Sequence, residues 1–285
     1  MRIATTVFLT DETISPVRLA CELEQRGFDG LYLPEHTHIP VSRETPSPQG
    51  GTLPREYGRA LDPIVALSQA AAVTERITLG TGVALVGQHD PIHLAKQAAT
   101  LDHVSGGRFT LGVGFGWNKE EADDHGVPWA RRRDLVRDRM ALMRALWSDE
   151  PTSYEGEFGS VRASWAHPKP VRQPRVRKNT SPLVGPRVLI GGAAGPQLFA
   201  HIAEYADGWL PVGGSGLRDS IPLLRHAWED AGRAGEPEVV PYAVRPSAGK
   251  LAHFAEMGLR EVVVGLPSAG EAEVLRALDA HADFL

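Results

Sequence analysis

The feature that most constrains this chain is an alternation repeated eight times. A short run of β-branched or apolar residues is followed each time by a longer amphipathic run. The short runs cover residues 3–9, 30–33, 78–85, 108–114, 187–192, 207–212, 239–244 and 261–266. The amphipathic runs cover 15–27, 62–74, 90–107, 131–147, 196–206, 220–231, 247–258 and 269–282. Several of the latter carry explicit start signals, Ser15-Pro16, Asp62-Pro63 and Asp90-Pro91, and stop signals at Gly27 and Gly106-Gly107. Eight strand–helix units in order predict an α/β fold, a (β/α)8 barrel, as one domain over residues 1–285. An open doubly wound sheet is the rival, and the count of eight favours closure. Two insertions interrupt the pattern, residues 34–62 and 149–186. The second is rich in Pro, Arg and Lys and is predicted to be irregular or mobile.

A length of 285 residues suits one large α/β domain. The net charge of −5 leaves no basic footprint for nucleic acid. A single cysteine, Cys21, excludes an internal disulfide and a cysteine-rich metal site; it is predicted to be a small core residue. No apolar run approaches the roughly 18 residues of a membrane span. The N-terminal stretch does not read as a signal peptide. The expectation is a cytoplasmic enzyme acting on a small molecule.

In a barrel of this kind the active site lies at the C-terminal ends of the strands. The stretch YLPEHTHIP, residues 32–40, puts Glu35, His36 and His38 at that rim. They could be solvated loop groups, metal ligands, or an acid–base set. Metal is disfavoured because no third histidine has ligand-like spacing. An imidazole titrates near neutrality and can exchange a proton with a substrate during reduction of a carbonyl or C=C. Gly80 and Gly82 in TLGTGVAL weaken a strand interior, which points to a bulge or a close backbone approach. Gly112, Gly114 and Gly116 alternate in GVGFGW and would leave one strand face open to a flat ring or a phosphate. Trp117 reads as a pocket wall or a core residue, and Asn118 as a donor to a cofactor hydroxyl. In IGGAAGP, Gly191-Gly192-Ala193-Ala194 precedes a helix that opens near Pro196, a pattern suited to binding an anion. No Walker lysine accompanies it, which argues against nucleotide hydrolysis.

Taken together, LPEHTHIPVSRETP, LDHVSGGRFTLGVGFGW and YADGWLP resemble the bacterial luciferase-like monooxygenase superfamily over roughly residues 1–215. The likeness is greatest to its short actinobacterial branch, whose members are taken to use the deazaflavin F420. The resemblance implies an F420-dependent oxidoreductase passing a hydride between deazaflavin C5 and a carbonyl or activated C=C, and a homodimer. It implies that Glu35 lies beside the ring and that His36 is the leading acid–base group, with His38 second. Tyr57 of the first insertion would join His36, His38 and Trp117 around the substrate. It also implies a cis peptide at Gly82-Val83, forming a bulge under a bent flavin-like ring, and a cofactor phosphate at Gly191, Gly192, Ala193 and Ala194. Two alternatives stay open: an FMN-dependent monooxygenase on the same fold, and a catalytically idle cofactor-binding paralogue.

Overall fold

The computed structural model describes residues 1–48, 50–171 and 183–285. Eight parallel strands form the barrel: β1 (Arg2–Thr6), β2 (Gly30–Leu33), β3 (Thr78–Thr81), β4 (Phe109–Val113), β7 (Arg187–Gly191), β8 (Gly208–Leu210), β9 (Glu238–Val239) and β10 (Glu261–Gly265). They are hydrogen-bonded in the order β10-β1-β2-β3-β4-β7-β8-β9. Two further strands, β5 (Tyr154–Glu155) and β6 (Ser160–Val161), make a small antiparallel hairpin outside the barrel. The β9–β10 seam is thin because Pro241 has no N–H to give. It is closed by Val263 N–H to Pro241 O (2.8 Å), Val244 N–H to Val263 O (2.9 Å) and Gly265 N–H to Val244 O (3.1 Å).

Helices follow the strands because the cap residues work as their chemistry requires. In α1 (Pro16–Arg26), the Ser15 hydroxyl accepts from Arg18 N–H, and Gly27 ends the helix in the left-handed region at φ 88°. In α2 (Pro63–Ala72) and α3 (Pro91–Val104), Asp62 and Asp90 accept from Val65 and His93 N–H. Next come the short α4 (Lys119–Asp124) and the long α5 (Arg132–Trp147). The last four are α6 (Pro196–Tyr205), α7 (Leu217–Asp230), α8 (Ala248–Glu256) and α9 (Glu271–Ala282). Leu, Ile, Val and Phe side chains fill the layer between barrel and helices. A separate inner cluster of Ala4, Tyr32, Leu189, Leu210, Val240, Tyr242 and Val263 fills the barrel, with Val83 packed on it.

Three expectations need correction. Residues 78–85 are not one strand, since β3 stops at Thr81, before the cis peptide between Gly82 and Val83. The second insertion is not wholly irregular, because residues 154–161 carry the β5–β6 hairpin; residues 172–182, which hold much of its Pro-, Arg- and Lys-rich part, lie outside the described residues. Cys21 is only partly buried on α1. Among the described residues no helix is long and apolar enough to cross a membrane.

Candidate active site

The rim after β2 meets α4, a helix that the strand–helix count passed over. Asn118 is its N-cap, with Oδ1 accepting from Glu121 N–H at 3.3 Å. This holds Glu121 facing the β2 rim. His36 Nδ1 lies 2.8 Å from Glu121 Oε2, and Thr37 N–H points to Glu121 Oε1 at 3.3 Å. On the other side of the imidazole, Trp117 Nε1–H donates to His36 Nε2 at 3.2 Å. Tyr57, on a short 3-10 turn of the first insertion (Arg55–Gly58), places its ring 5.4 Å from that of His36, with Trp117 and Phe8 against it at 6.2 and 4.5 Å. Burial, and secondarily Glu56, pushes the Tyr57 phenol above its ordinary value. His36 is 9 % exposed and Glu121 1 %, so this is a desolvated cluster rather than a solvated loop.

The other two rim residues diverge from it. Glu35 accepts from Leu85 N–H at 2.5 Å through one oxygen and pairs with His89 Nε2 at 2.7 Å through the other. Both oxygens are therefore committed to the loop after β3. Burial opposes charge on His89, but the hydrogen bond and charge of Glu35 outweigh it and raise the pKa. His38 is partly exposed, bonded to Asp124 (3.0 Å) and to the Thr37 hydroxyl (2.9 Å). Thus the three residues that arrive together in sequence serve three different neighbourhoods. Among the described residues no three His, Cys, Asp or Glu side chains are grouped to hold a metal ion.

The glycines act through packing. A Cβ on Gly112 would overlap the Thr81 carbonyl, and one on Gly114 the Val83 side chain. One on Gly191 would come to 2.9 Å from Val83 Cγ1. The open strand face expected at Gly112 and Gly114 is therefore occupied, and its occupant is the bulge itself. Val83 sits over Gly114 and Gly191, while the Tyr242 ring lies where a Gly82 side chain would be. Gly82 N–H donates to Leu33 O at 2.7 Å, tying the bulge to the β2 rim that carries His36. Gly116, at φ 77°, makes the turn that brings Trp117 round to His36. Asn118 Oδ1 caps α4, and its buried Nδ2 has no partner among the described residues.

At the end of β7, Gly192 takes φ 144°, a conformation L side chains rarely adopt. Ala193 and Ala194 are exposed. Helix α6 then opens at Pro196, behind its N-cap Gly195, with no side-chain cap, so the N–H groups of Gln197 and Leu198 in its first turn are met by no capping side chain. Those donors, and the bulge capped by Val83, suit a ligand with a flat ring and a phosphate. The loop residues are legible in the sequence; the roles of Glu121 and His89, each paired with a rim residue far away in the chain, are not. The signal for Glu121 is Asn118-Lys-Glu-Glu121, a helix N-cap followed by Glu at the third helical position.

Comparison with known proteins places the chain in a family. The chain is 46% identical over 265 residues to an uncharacterised protein of Mycobacterium tuberculosis (strain ATCC 25618 / H37Rv), covering 92% of this chain and 90% of that one. The monooxygenase RslO1 from Streptomyces bottropensis superposes with a TM-score of 0.75 at 19% identity, over 100% of this chain and 98% of that one. An F420-dependent secondary alcohol dehydrogenase, solved with an F420-acetone adduct, gives the same TM-score at 18% identity and the same coverage. These two show the barrel fold. The profile of the luciferase-like monooxygenases matches residues 12–281, nearly the whole chain, and the chain belongs to that family.

Proposed function

We propose that the protein is an F420-dependent oxidoreductase acting on a small organic substrate with a carbonyl, its alcohol, or an activated C=C. The observation that carries this reading is the buried His36 cluster at the mouth, beside the rim that anchors the Gly82-Val83 bulge. When bound, the deazaflavin supplies a hydride acceptor or donor at C5. The chain's own residues supply the rest. The loop of Gly191, Gly192, Ala193 and Ala194 and the uncapped start of α6 hold the phosphate through backbone N–H groups. Val83, resting on Gly114 and Gly191, supports the ring. Trp117 and Tyr57 wall the space next to His36. His36 Nε2 takes or returns the proton that must accompany hydride movement at a carbon–oxygen bond.

The test is a fluorescence titration of the purified chain with F420 and with FMN. F420 is expected to bind at least about tenfold more tightly, a difference near 1.4 kcal/mol. A preference for FMN, with substrate-dependent oxygen consumption, would assign the chain to the flavin monooxygenases of its family. Tight F420 binding without turnover of any secondary alcohol or activated enone would leave an idle cofactor-binding protein.

A further inference from the structure

We infer that Glu121 is a positioning residue that holds His36 in a single neutral tautomer, with the proton on Nδ1 and Nε2 left as the proton-accepting atom. Trp117 fixes the tautomer. An indole Nε1 can only donate. It points at His36 Nε2 at 3.2 Å, so Nε2 must carry a lone pair rather than a hydrogen. A neutral imidazole has one hydrogen, which is then on Nδ1, 2.8 Å from Glu121 Oε2. An imidazolium would set two N–H groups against each other at the Trp117 contact.

The environment of Glu121 agrees with this assignment. Its other oxygen faces Thr37 N–H at 3.3 Å, so both oxygens meet donors and the carboxylate acts as acceptor only. At 1 % exposure, Glu121 has no water to turn to. Its place is fixed through the backbone, because Asn118 Oδ1 caps α4 at Glu121 N–H. The loop opposite is also tied to this helix, as Thr45 donates its N–H at 2.7 Å and its hydroxyl to Glu120. These two bonds hold the Glu120 carboxyl down at about 2.

This inference rests on the proposed role of His36 only for its catalytic meaning. Once Nε2 accepts a substrate proton, Glu121 stabilises the resulting imidazolium through the Nδ1–H bond. Return of the proton restores the same tautomer. Trp117 must give up its hydrogen bond when a substrate hydroxyl takes its place at Nε2. Glu121 touches neither substrate nor cofactor in this account.

The experiment is 15N NMR of the histidine ring nitrogens in the full-length chain, wild type and Glu121→Gln, with resonances assigned by loss of the His36 signals in His36→Gln. Wild type is expected to show a protonated Nδ1 and an unprotonated Nε2. In Glu121→Gln one oxygen replaces two, so the amide cannot accept from both Thr37 and His36. The His36 signals should then become those of a tautomer mixture, and turnover should fall by about 10²-fold, the low end for a positioned acid–base group. Trp117→Phe covers the case in which the Gln variant does not fold. It removes the donor at Nε2 but should keep the Nδ1–H form, because Glu121 remains. A wild-type His36 protonated on Nε2, or an unchanged pure tautomer in folded Glu121→Gln, overturns the inference. So does a tautomer switch in Trp117→Phe. A tautomer mixture in Glu121→Gln with undiminished turnover leaves the positioning role standing and removes His36 from the proposed chemistry.

Discussion

The two ends of this barrel carry buried carboxylates with different partners. At the base, where the strands begin, Glu261 is bonded by Tyr32 (2.7 Å), Arg2 (2.6 Å) and Arg187 (3.0 Å), and Arg187 also pairs with Glu238. Burial opposes charge on Arg187, but Tyr32, Glu261 and Glu238 outweigh it. At the mouth, Glu35 and Glu121 each face a histidine, His89 and His36. The base thus uses a cation that stays charged at every working pH, whereas the mouth pairs its carboxylates with imidazoles. A cleft of about 290 Å³ lined by Arg2, Arg108, Thr110, Arg187 and Glu238 opens at the base. Its charges are tied to one another, and Arg108 spends its guanidinium on the carbonyls of Ala71, Thr74, Ile77 and Ser105 and the Thr74 hydroxyl. The lesson is that a buried charge cluster is not by itself a reactive site. What distinguishes the mouth is that its carboxylates face imidazoles, which can both donate and accept a proton.

The largest effect expected from this contrast is on turnover. His36→Ala should slow substrate conversion by about 10²- to 10⁴-fold, with cofactor affinity changed much less, because the loop proposed to hold the phosphate is separate. Steady-state rates beside a fluorescence titration would show it. If His36→Ala is as fast as wild type, the mouth is only a binding wall. The same change at His38 should do far less, since its ring is exposed and paired with Asp124.

The base should fail in the opposite manner. Arg187→Met strands Glu261, 3 % exposed, with only the half-exposed Arg2 to balance it. A loss of about 3–5 kcal/mol in urea unfolding is expected, the scale for breaking a buried pair from one side. Activity per folded molecule should persist. An unchanged midpoint would mean that the base network contributes no stability, and a selective loss of turnover would erase the distinction between the two ends.

A smaller effect separates titratable from permanent pairing. His89 has a raised folded-state pKa, so the stability it contributes with Glu35 is fully present below the unfolded value of about 6.5 and is lost as pH rises through the higher folded value. His89→Gln should therefore destabilise by about 1–3 kcal/mol near pH 6 and by less near pH 9. Arg187→Met should show no such slope over that window. Thermal melts of both variants at the two pH values decide the matter, and equal His89→Gln penalties at both would deny the charged pair.

The smallest change sharpens the map of the mouth. Ala194→Asp puts a carboxylate at the uncapped start of α6 on an exposed residue. Phosphate and carboxylate would then compete for the same N–H groups, and F420 affinity should drop by about tenfold, within the range of charge effects at helix ends. Unaltered affinity would move the phosphate elsewhere.

The barrel was legible because its signals are local. Ser15, Asp62 and Asp90 with the prolines after them start helices from nearest-neighbour chemistry, and eight such units leave few ways to bury so many apolar strands. The glycine motifs marked a bulge and the loop before α6 for the same reason, since a conformation such as the φ of Gly192 belongs to one residue, while the cis peptide at Gly82-Val83 was implied by the family resemblance. What sequence alone could not assign was which of Glu35, His36 and His38 does what. Adjacent positions on a rim diverge in space, and their partners lie 50 or more residues away. The face of Gly114 was likewise misread as open, because Val83 fills it from the bulge after β3. The sequence by itself thus determined the eight strand–helix units and their order, and pointed to the rim where the candidate site lies. Only the tertiary structure decided that His36 is desolvated between Glu121 and Trp117 while Glu35 braces the bulge, because burial and hydrogen-bond partnership are set by packing across strands rather than by the neighbours in the chain.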